Sequence, residues 1–171
     1  MIRLLAERDD PSGFSCGSPE LDQYLKAYAL DNTELGVSAT YVCVDDADCV
    51  EGFLTLAGTS IRSSETPISF DLPRYPLPAL LIARLAVDAS SQNRGVGRRL
   101  LAFALEESLV MQSRIGCIAV VVDAKPEAFS FYEQFGFEPV VPASPAAGAI
   151  RMVLEIGSVA DALLWSGERS G

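Results

Sequence analysis

Apolar residues fall along this chain in two rhythms, and the change from one to the other marks its elements. Short alternating or apolar runs predict strands at Ala39–Val44 and Val50–Ser60, antiparallel and joined by the acidic turn Asp45-Asp46-Ala47-Asp48. Leu80–Val87 is apolar except at Arg84, as in a central strand covered on both faces. Cys117–Val122 and Ile150–Ile156 supply two further strands. Helical spacing appears at Leu21, Tyr24, Leu25, Tyr28 and Ala29, behind Ser18 as cap and Pro19 at the first helical position. A longer helix is expected from Arg98 to Ser113, with Leu101, Leu105, Ser108 and Leu109 along one stripe. Pro126 and Gly136 bracket a short helix, since proline suits a first turn and glycine the residue beyond a last one. Residues 62–79, with Pro67, Asp71, Pro73, Pro76 and Pro78, read as an ordered loop crossing the sheet, and residues 140–149 as a surface loop. Val159 to Leu164 reads as a final short helix, with Trp165 packing on the domain or on a partner. No repeat or linker interrupts the series, so the pattern predicts one α/β domain over residues 1–171.

Composition narrows the classes. At 171 residues and 49% apolar content there is ample material for one core. No run of about 18 apolar residues occurs, so no membrane-spanning helix is expected. The N-terminus turns acidic at Glu7 before an apolar signal segment can form, which points to the cytoplasm. Cys16, Cys43, Cys49 and Cys117 lie far apart with no C-x-x-C pair and read as reduced thiols buried as small hydrophobes. The chain has no histidine. That excludes a Ser–His–Asp or Cys–His hydrolase in its usual form and a zinc site with imidazole ligands, and no metal is expected. Proton transfer near neutral pH must then use Tyr, Asp, Glu, Cys, an amine or water.

The stretch Leu80–Leu101 carries the most chemistry. A strand ends at Asp88, a polar turn follows, and Gly95 and Gly97 open a helix. Backbone N–H groups there lack intrahelical partners, the helix dipole adds positive charge, and glycine permits close approach. A phosphate or pyrophosphate fits such a corner, to which Arg94, Arg98 and Arg99 add side-chain charge. A nucleoside-triphosphate loop would carry Lys and then Ser or Thr after its last glycine, where Arg98-Arg99 stand. A dinucleotide fold would carry a third glycine early in a βαβ unit.

Gln92-Asn93-Arg94-Gly95-Val96-Gly97 resembles the Q/R-x-x-G-x-G signature of the GNAT acetyltransferases. Phe131-Tyr132-Glu133-Gln134-Phe135-Gly136-Phe137, after a strand, is similar to the F-Y-x-x-F-G-F segment that follows the fifth strand of that family. The resemblance implies a mixed, mostly antiparallel sheet with a splayed gap between its fourth and fifth strands and helices flanking it. It implies acetyl-CoA as acyl donor, its pyrophosphate held by Gln92, Asn93, Arg94, Gly95, Val96, Gly97, Arg98 and Arg99. Backbone groups of Leu85, Ala86 and Val87 would hold the pantetheine arm, and Tyr132 would act as general acid to the leaving thiolate. A narrower resemblance covers residues 14 to 156. Phe14-Ser15-Cys16-Gly17 with Leu21-Asp22-Gln23-Tyr24-Leu25 looks like the F-x-C-G…L-D-x-(Y/W)-L opening of a GNAT subgroup. Arg84-Leu85-Ala86-Val87-Asp88, Val122-Asp123-Ala124 and Leu72-Pro73-Arg74-Tyr75-Pro76-Leu77-Pro78 match its R-L-A-V-D, V-D-A and L-P-x-Y-x-x-P segments. That subgroup includes toxins that acetylate the α-amine of aminoacyl-tRNA, are countered by ribbon–helix–helix antitoxins, and in many cases form homodimers. It also includes members whose acceptor the motif does not imply.

Plainer readings stand beside these. Tyr132 at helical spacing from Ala128 and Phe135 could be core packing, and Phe131 reads as core. Asp88 and Asp123 end strands and could cap the following turns. Arg84 in an apolar strand should pair with a carboxylate or face the cleft, because an unpaired buried guanidinium is costly. Arg74 lies on the loop expected beside the acceptor entrance. For the general base, an ordered water and a carboxylate remain equal alternatives. The formal net charge of −10 opposes a tRNA substrate, although residues 74–125 hold seven basic against four acidic residues. A small-molecule amine or a protein N-terminus is the alternative acceptor, and a non-catalytic module binding coenzyme A or an antitoxin is the alternative class. The intact motifs favour an enzyme.

Overall fold

The computed structural model of the chain describes residues 1–66, 72–140 and 148–168. Its strands are β1 (Ile2–Leu4), β2 (Ala39–Val44), β3 (Val50–Ile61), β4 (Leu77–Val87), β5 (Ala119–Ala124), β6 (Glu138–Pro139) and β7 (Ile150–Glu155). Its helices are α1 (Pro19–Ala27), α2 (Ala29–Glu34), α3 (Val96–Arg114), α4 (Phe129–Glu133) and α5 (Val159–Glu168). The strands lie in one sheet in the order β1-β2-β3-β4-β5-β7-β6, antiparallel in each registered pair except β4 and β5. The chain divides into two compact units, 1–57 with 83–104 and 58–82 with 105–171.

In the first unit β2 pairs with β1 on one side and β3 on the other, with Tyr41 opposite Leu4 and Val42 opposite Phe53. Phe53 is fully buried beneath Phe14, edge-on at 5.5 Å, and Tyr24, stacked at 6.2 Å. Leu5, Leu25, Ala29, Val42, Val44 and Ala86 are the other buried residues of this core. Each large side chain so buried contributes about 1.5–3 kcal/mol. Two polar residues inside, Thr40 and Thr55, satisfy each other across the strands at 2.9 Å.

Three expectations change here. Ser18 occupies the N-cap position but its side chain makes no capping bond; the Asp22 carboxylate instead accepts the Cys16 N–H at 2.8 Å. Tyr28 is exposed, because the backbone leaves helical geometry there (φ −130°, ψ −24°) and α2 begins one residue later. The predicted apolar stripe therefore breaks between Leu25 and Ala29. Cys49 is also exposed and Cys16 half-buried, against Cys43 and Cys117, which are buried as expected.

In the second unit β4 runs parallel to β5 over Leu80–Ile82 and Val120–Val122, and β5 pairs antiparallel with β7 along its whole length. Ile61, Ala79, Ala119, Val121 and Val153 form the core. Trp165 on α5 meets Phe135 edge-on at 5.0 Å, so the last helix packs on its own unit. β4 begins at Leu77, inside the expected loop. Pro78 is tolerated at the start of the strand, where it owes no ladder N–H, and its carbonyl accepts the Ile118 N–H at 3.0 Å. β5 starts two residues late, after Gly116 at φ +96° and Cys117, whose thiol bonds the Ala119 carbonyl. Asp123 caps nothing: it faces Arg151 across β5 and β7 in a two-pronged ion pair of 2.8 and 3.0 Å. Pro67, Asp71 and most of the expected 140–149 loop lie outside the described residues. Among those described, no helix is long and apolar enough to cross a membrane.

Candidate functional site

The first unit builds the glycine turn from a strand end that is tied down on all sides. The Asp88 carboxylate accepts from the Ser15 N–H at 2.9 Å and from the Ser90 N–H and hydroxyl at 2.9 and 2.6 Å. These bonds to its charged form, Ser90 first, hold the carboxyl below the usual Asp range. The reading of Asp88 as a cap is correct. The Gln92 amide donates to the carbonyls of Val87 and Cys16 at 3.1 and 3.2 Å, so this motif glutamine locks the turn and spends its donors on backbone. Asn93 (φ +61°) and Gly95 (φ +81°) then take left-handed geometry, and α3 starts at Val96, two residues before the expected Arg98.

Val96 is buried and anchors the helix start, whereas Gln92, Asn93, Arg94, Gly95 and Arg99 face solvent. A Cβ built on Gly95 would meet nothing within 4 Å. The Arg99 N–H already reaches back to the Gly95 carbonyl at 3.0 Å, so the N–H groups of Val96 and Gly97 lie ahead of that first turn of the helix. Open space beside Gly95, a helix N-terminus and adjacent guanidinium groups suit a pyrophosphate.

Sequence reasoning missed Glu51 and Gly52 at the start of β3. The Glu51 carboxylate, mostly buried, lies 3.9 Å from Arg94 and 3.3 Å from Arg99, and the Glu51 carbonyl accepts the Asp88 N–H at 2.8 Å. A Cβ on Gly52 would stand 2.9 Å from the Ala86 carbonyl oxygen and 3.0 Å from both Val96 and Leu100. β3 therefore sets the height of the glycine turn and holds two of its arginines. A charge next to a glycine at the head of a strand was the available signal.

Of the other residues expected in the site, Ala86 is buried and Leu85 and Val87 half-buried, all on β4. Arg84, two residues from Ala86 on the same strand face, finds no carboxylate among the described residues. Its guanidinium lies over the Tyr24 ring, 3.6 Å from the centroid. Arg74 is exposed and belongs to the second unit.

Tyr132, also in the second unit, sits on α4 and is 5% exposed, with Phe131 and Phe137 edge-on at 5.1 and 5.5 Å. Burial pushes its phenol well above the ordinary tyrosine range. Packing and chemistry are thus both open to it: the ring is core, and the hydroxyl stays protonated. Burial likewise raises the thiols of Cys43 and Cys117, so neither is poised as a thiolate nucleophile. Among the described residues no side chains cluster as a metal site.

Comparison with known proteins agrees with this geometry. The model of the acetyltransferase (GNAT) domain matches residues 36–139. A tRNA-acetylating toxin of Mycobacterium tuberculosis is 38% identical over 146 residues, 84% of this chain and 86% of the relative. AtaT in complex with acetyl-methionyl-tRNAfMet superposes with a TM-score of 0.83 at 23% identity, covering 94% of this chain and 96% of AtaT. An AtaT mutant bound to acetyl-CoA and the C-terminus of the antitoxin AtaR gives 0.76 at 22% identity, covering 93% and 94%. These two structural likenesses bear on the fold, which is the mixed sheet with parallel β4 and β5.

Proposed function

Because this chain belongs to the GNAT acetyltransferase family, we propose that it transfers the acetyl group of acetyl-CoA to the α-amine of aminoacyl-tRNA, as the toxin of a toxin–antitoxin pair. The 38% identity to a tRNA-acetylating toxin over most of both chains carries the choice of acceptor. The open Gly95 turn at the head of α3 supports the choice of donor. The protein works as a single domain over residues 1–171, as a homodimer in the cytoplasm, and a ribbon–helix–helix antitoxin is its partner.

Acetyl-CoA supplies a thioester carbonyl open to attack by a neutral amine. The turn from Gln92 to Arg99 holds the pyrophosphate, through the backbone of Gly95, Val96 and Gly97 and the side chains of Arg94, Arg98 and Arg99, while Asn93 shapes the turn. Backbone groups of Leu85, Ala86 and Val87 receive the pantetheine arm and stabilise the oxyanion. Arg74 and Arg84 receive the acceptor. An α-amine titrates near pH 8, so a sizeable neutral fraction exists at pH 7 without help from a strong base. A chain lacking histidine can therefore pass the amine proton to water. Attack forms the C–N bond, collapse breaks the C–S bond, and the Tyr132 hydroxyl donates to the departing thiolate.

The test is direct. Purified protein with labelled acetyl-CoA should N-acetylate charged tRNA, and its expression without antitoxin should arrest growth in a manner relieved by Tyr132→Phe. No label on charged tRNA together with harmless expression overturns the reading and makes a small amine or a protein N-terminus the acceptor.

A further inference from the structure

We propose that Arg84, held over the Tyr24 ring, is the acceptor-side phosphate clamp: it grips the phosphodiester nearest the esterified ribose of the charged tRNA. The proposal rests on the aminoacyl-tRNA reading above and adds to it a residue pair and a mode of recognition. Arg84 stands half-buried in the C-terminal half of β4, where apolar residues surround it in sequence. A guanidinium in such a place is usually neutralised by a carboxylate, yet among the described residues Arg84 has none, and its guanidinium lies over the Tyr24 ring at 3.6 Å. Stacking on a ring face satisfies the plane of a guanidinium and leaves its N–H donors at the edge, which match two phosphate oxygens.

The platform is rigid. Tyr24 is buried, stacks on Phe53 and has its hydroxyl 3.4 Å from Ser38. The Arg84 head is thus set before any ligand arrives, and little side-chain freedom is left to lose on binding. Its neighbours along β4, Leu85 to Val87, are the residues proposed to hold the thioester arm. A strand rises only about 3.3 Å per residue, so a phosphate on Arg84 would lie beside the reacting carbonyl. Tyr24 is then a positioning residue that acts through Arg84.

Steady-state acetylation of charged tRNA by full-length Arg84→Gln, Arg84→Lys, Tyr24→Leu and Tyr24→Phe tests this, with thermal melts confirming that each variant is folded. Arg84→Gln should raise KM for charged tRNA about tenfold, with kcat within about twofold and KM for acetyl-CoA unchanged. The slope of log KM against log salt should become shallower by about one, the signature of one lost phosphate contact. Arg84→Lys should keep the slope but recover only part of the affinity. Tyr24→Phe, which keeps the ring, should behave as wild type, and Tyr24→Leu should follow Arg84→Gln. A loss in kcat alone, an unchanged salt slope, or wild-type kinetics in Arg84→Gln overturns the clamp while leaving the tRNA reading standing. If the wild-type protein itself fails to acetylate charged tRNA, that reading falls and takes the clamp with it.

Discussion

Tyr132 answers two demands that pull against each other. As a packed ring between Phe131 and Phe137 it belongs to a dry place, and the dryness pushes its phenol well above the usual value near 10. In the acid role proposed for it, it would meet a thiolate whose conjugate thiol titrates near 8.5. Full proton transfer from phenol to thiolate is therefore uphill, and burial makes it more so. The same burial guarantees a neutral O–H at working pH. The role that fits both facts is a hydrogen bond that stabilises the thiolate as it leaves, with the proton arriving later from water. Tyr132→Phe should then lower kcat by about 10²–10⁴-fold while leaving acetyl-CoA affinity within about twofold. The shift also has a consequence for stability. The folded state keeps this proton where the unfolded chain has lost it, so its contribution is fully present below about pH 10 and is lost as pH rises further. Urea unfolding at about pH 8 and pH 11 should show a larger fall for wild type than for Tyr132→Phe. An equal fall in both would mean that the phenol is not desolvated.

Among the elements, β3 does more than its sequence announces. Its alternation predicted a strand, and a strand is there; what alternation does not encode is how closely the next element comes. Gly52 has Ala86, Val96 and Leu100 around the place of a missing side chain. Gly52→Ala should force β3 away from β4 and the head of α3. Overpacking of this kind costs about 1–3 kcal/mol, or roughly 2–12 °C in a chain of this size. Acetyl-CoA affinity should fall as well, because Glu51 and the Asp88 N–H would move with the strand; an unaltered melt and affinity would show that the site has slack. The same limit explains the other differences. The glycine turn was legible because left-handed Gly95 and a helix start are local chemistry. The break at Tyr28, the start of β4 at Leu77 and the ring beneath Arg84 depend on partners distant in sequence. Asp123 shows the point in small: its neighbours suggested a turn cap, and Arg151, 28 residues on, claimed it.

At the scale of the whole molecule, the charge is the term that fits a tRNA substrate least. With 23 acids against 13 bases the protein's long-range field repels a polyanion. At about 0.1 M salt, however, exposed charges more than about 10 Å apart scarcely feel one another. Capture of the acceptor then depends on which charges lie near its path, and not on the total. Residues 9–72 carry twelve acids and two bases, while residues 74–125 are basic on balance. A tRNA footprint should keep to the latter. Arg74 separates this effect from the contact proposed for Arg84, since it is exposed and its proposed part in receiving the acceptor is to draw it in through the field. Arg74→Glu should lower kcat/KM for charged tRNA about tenfold at about 50 mM salt, and the deficit should shrink severalfold by about 200 mM. KM for acetyl-CoA should not move, as Arg74 lies outside the glycine turn. A deficit that persists unchanged at high salt would mean a fixed contact in place of steering. No deficit at either salt would place the acceptor's path away from residue 74, leaving the low net charge unanswered on that side.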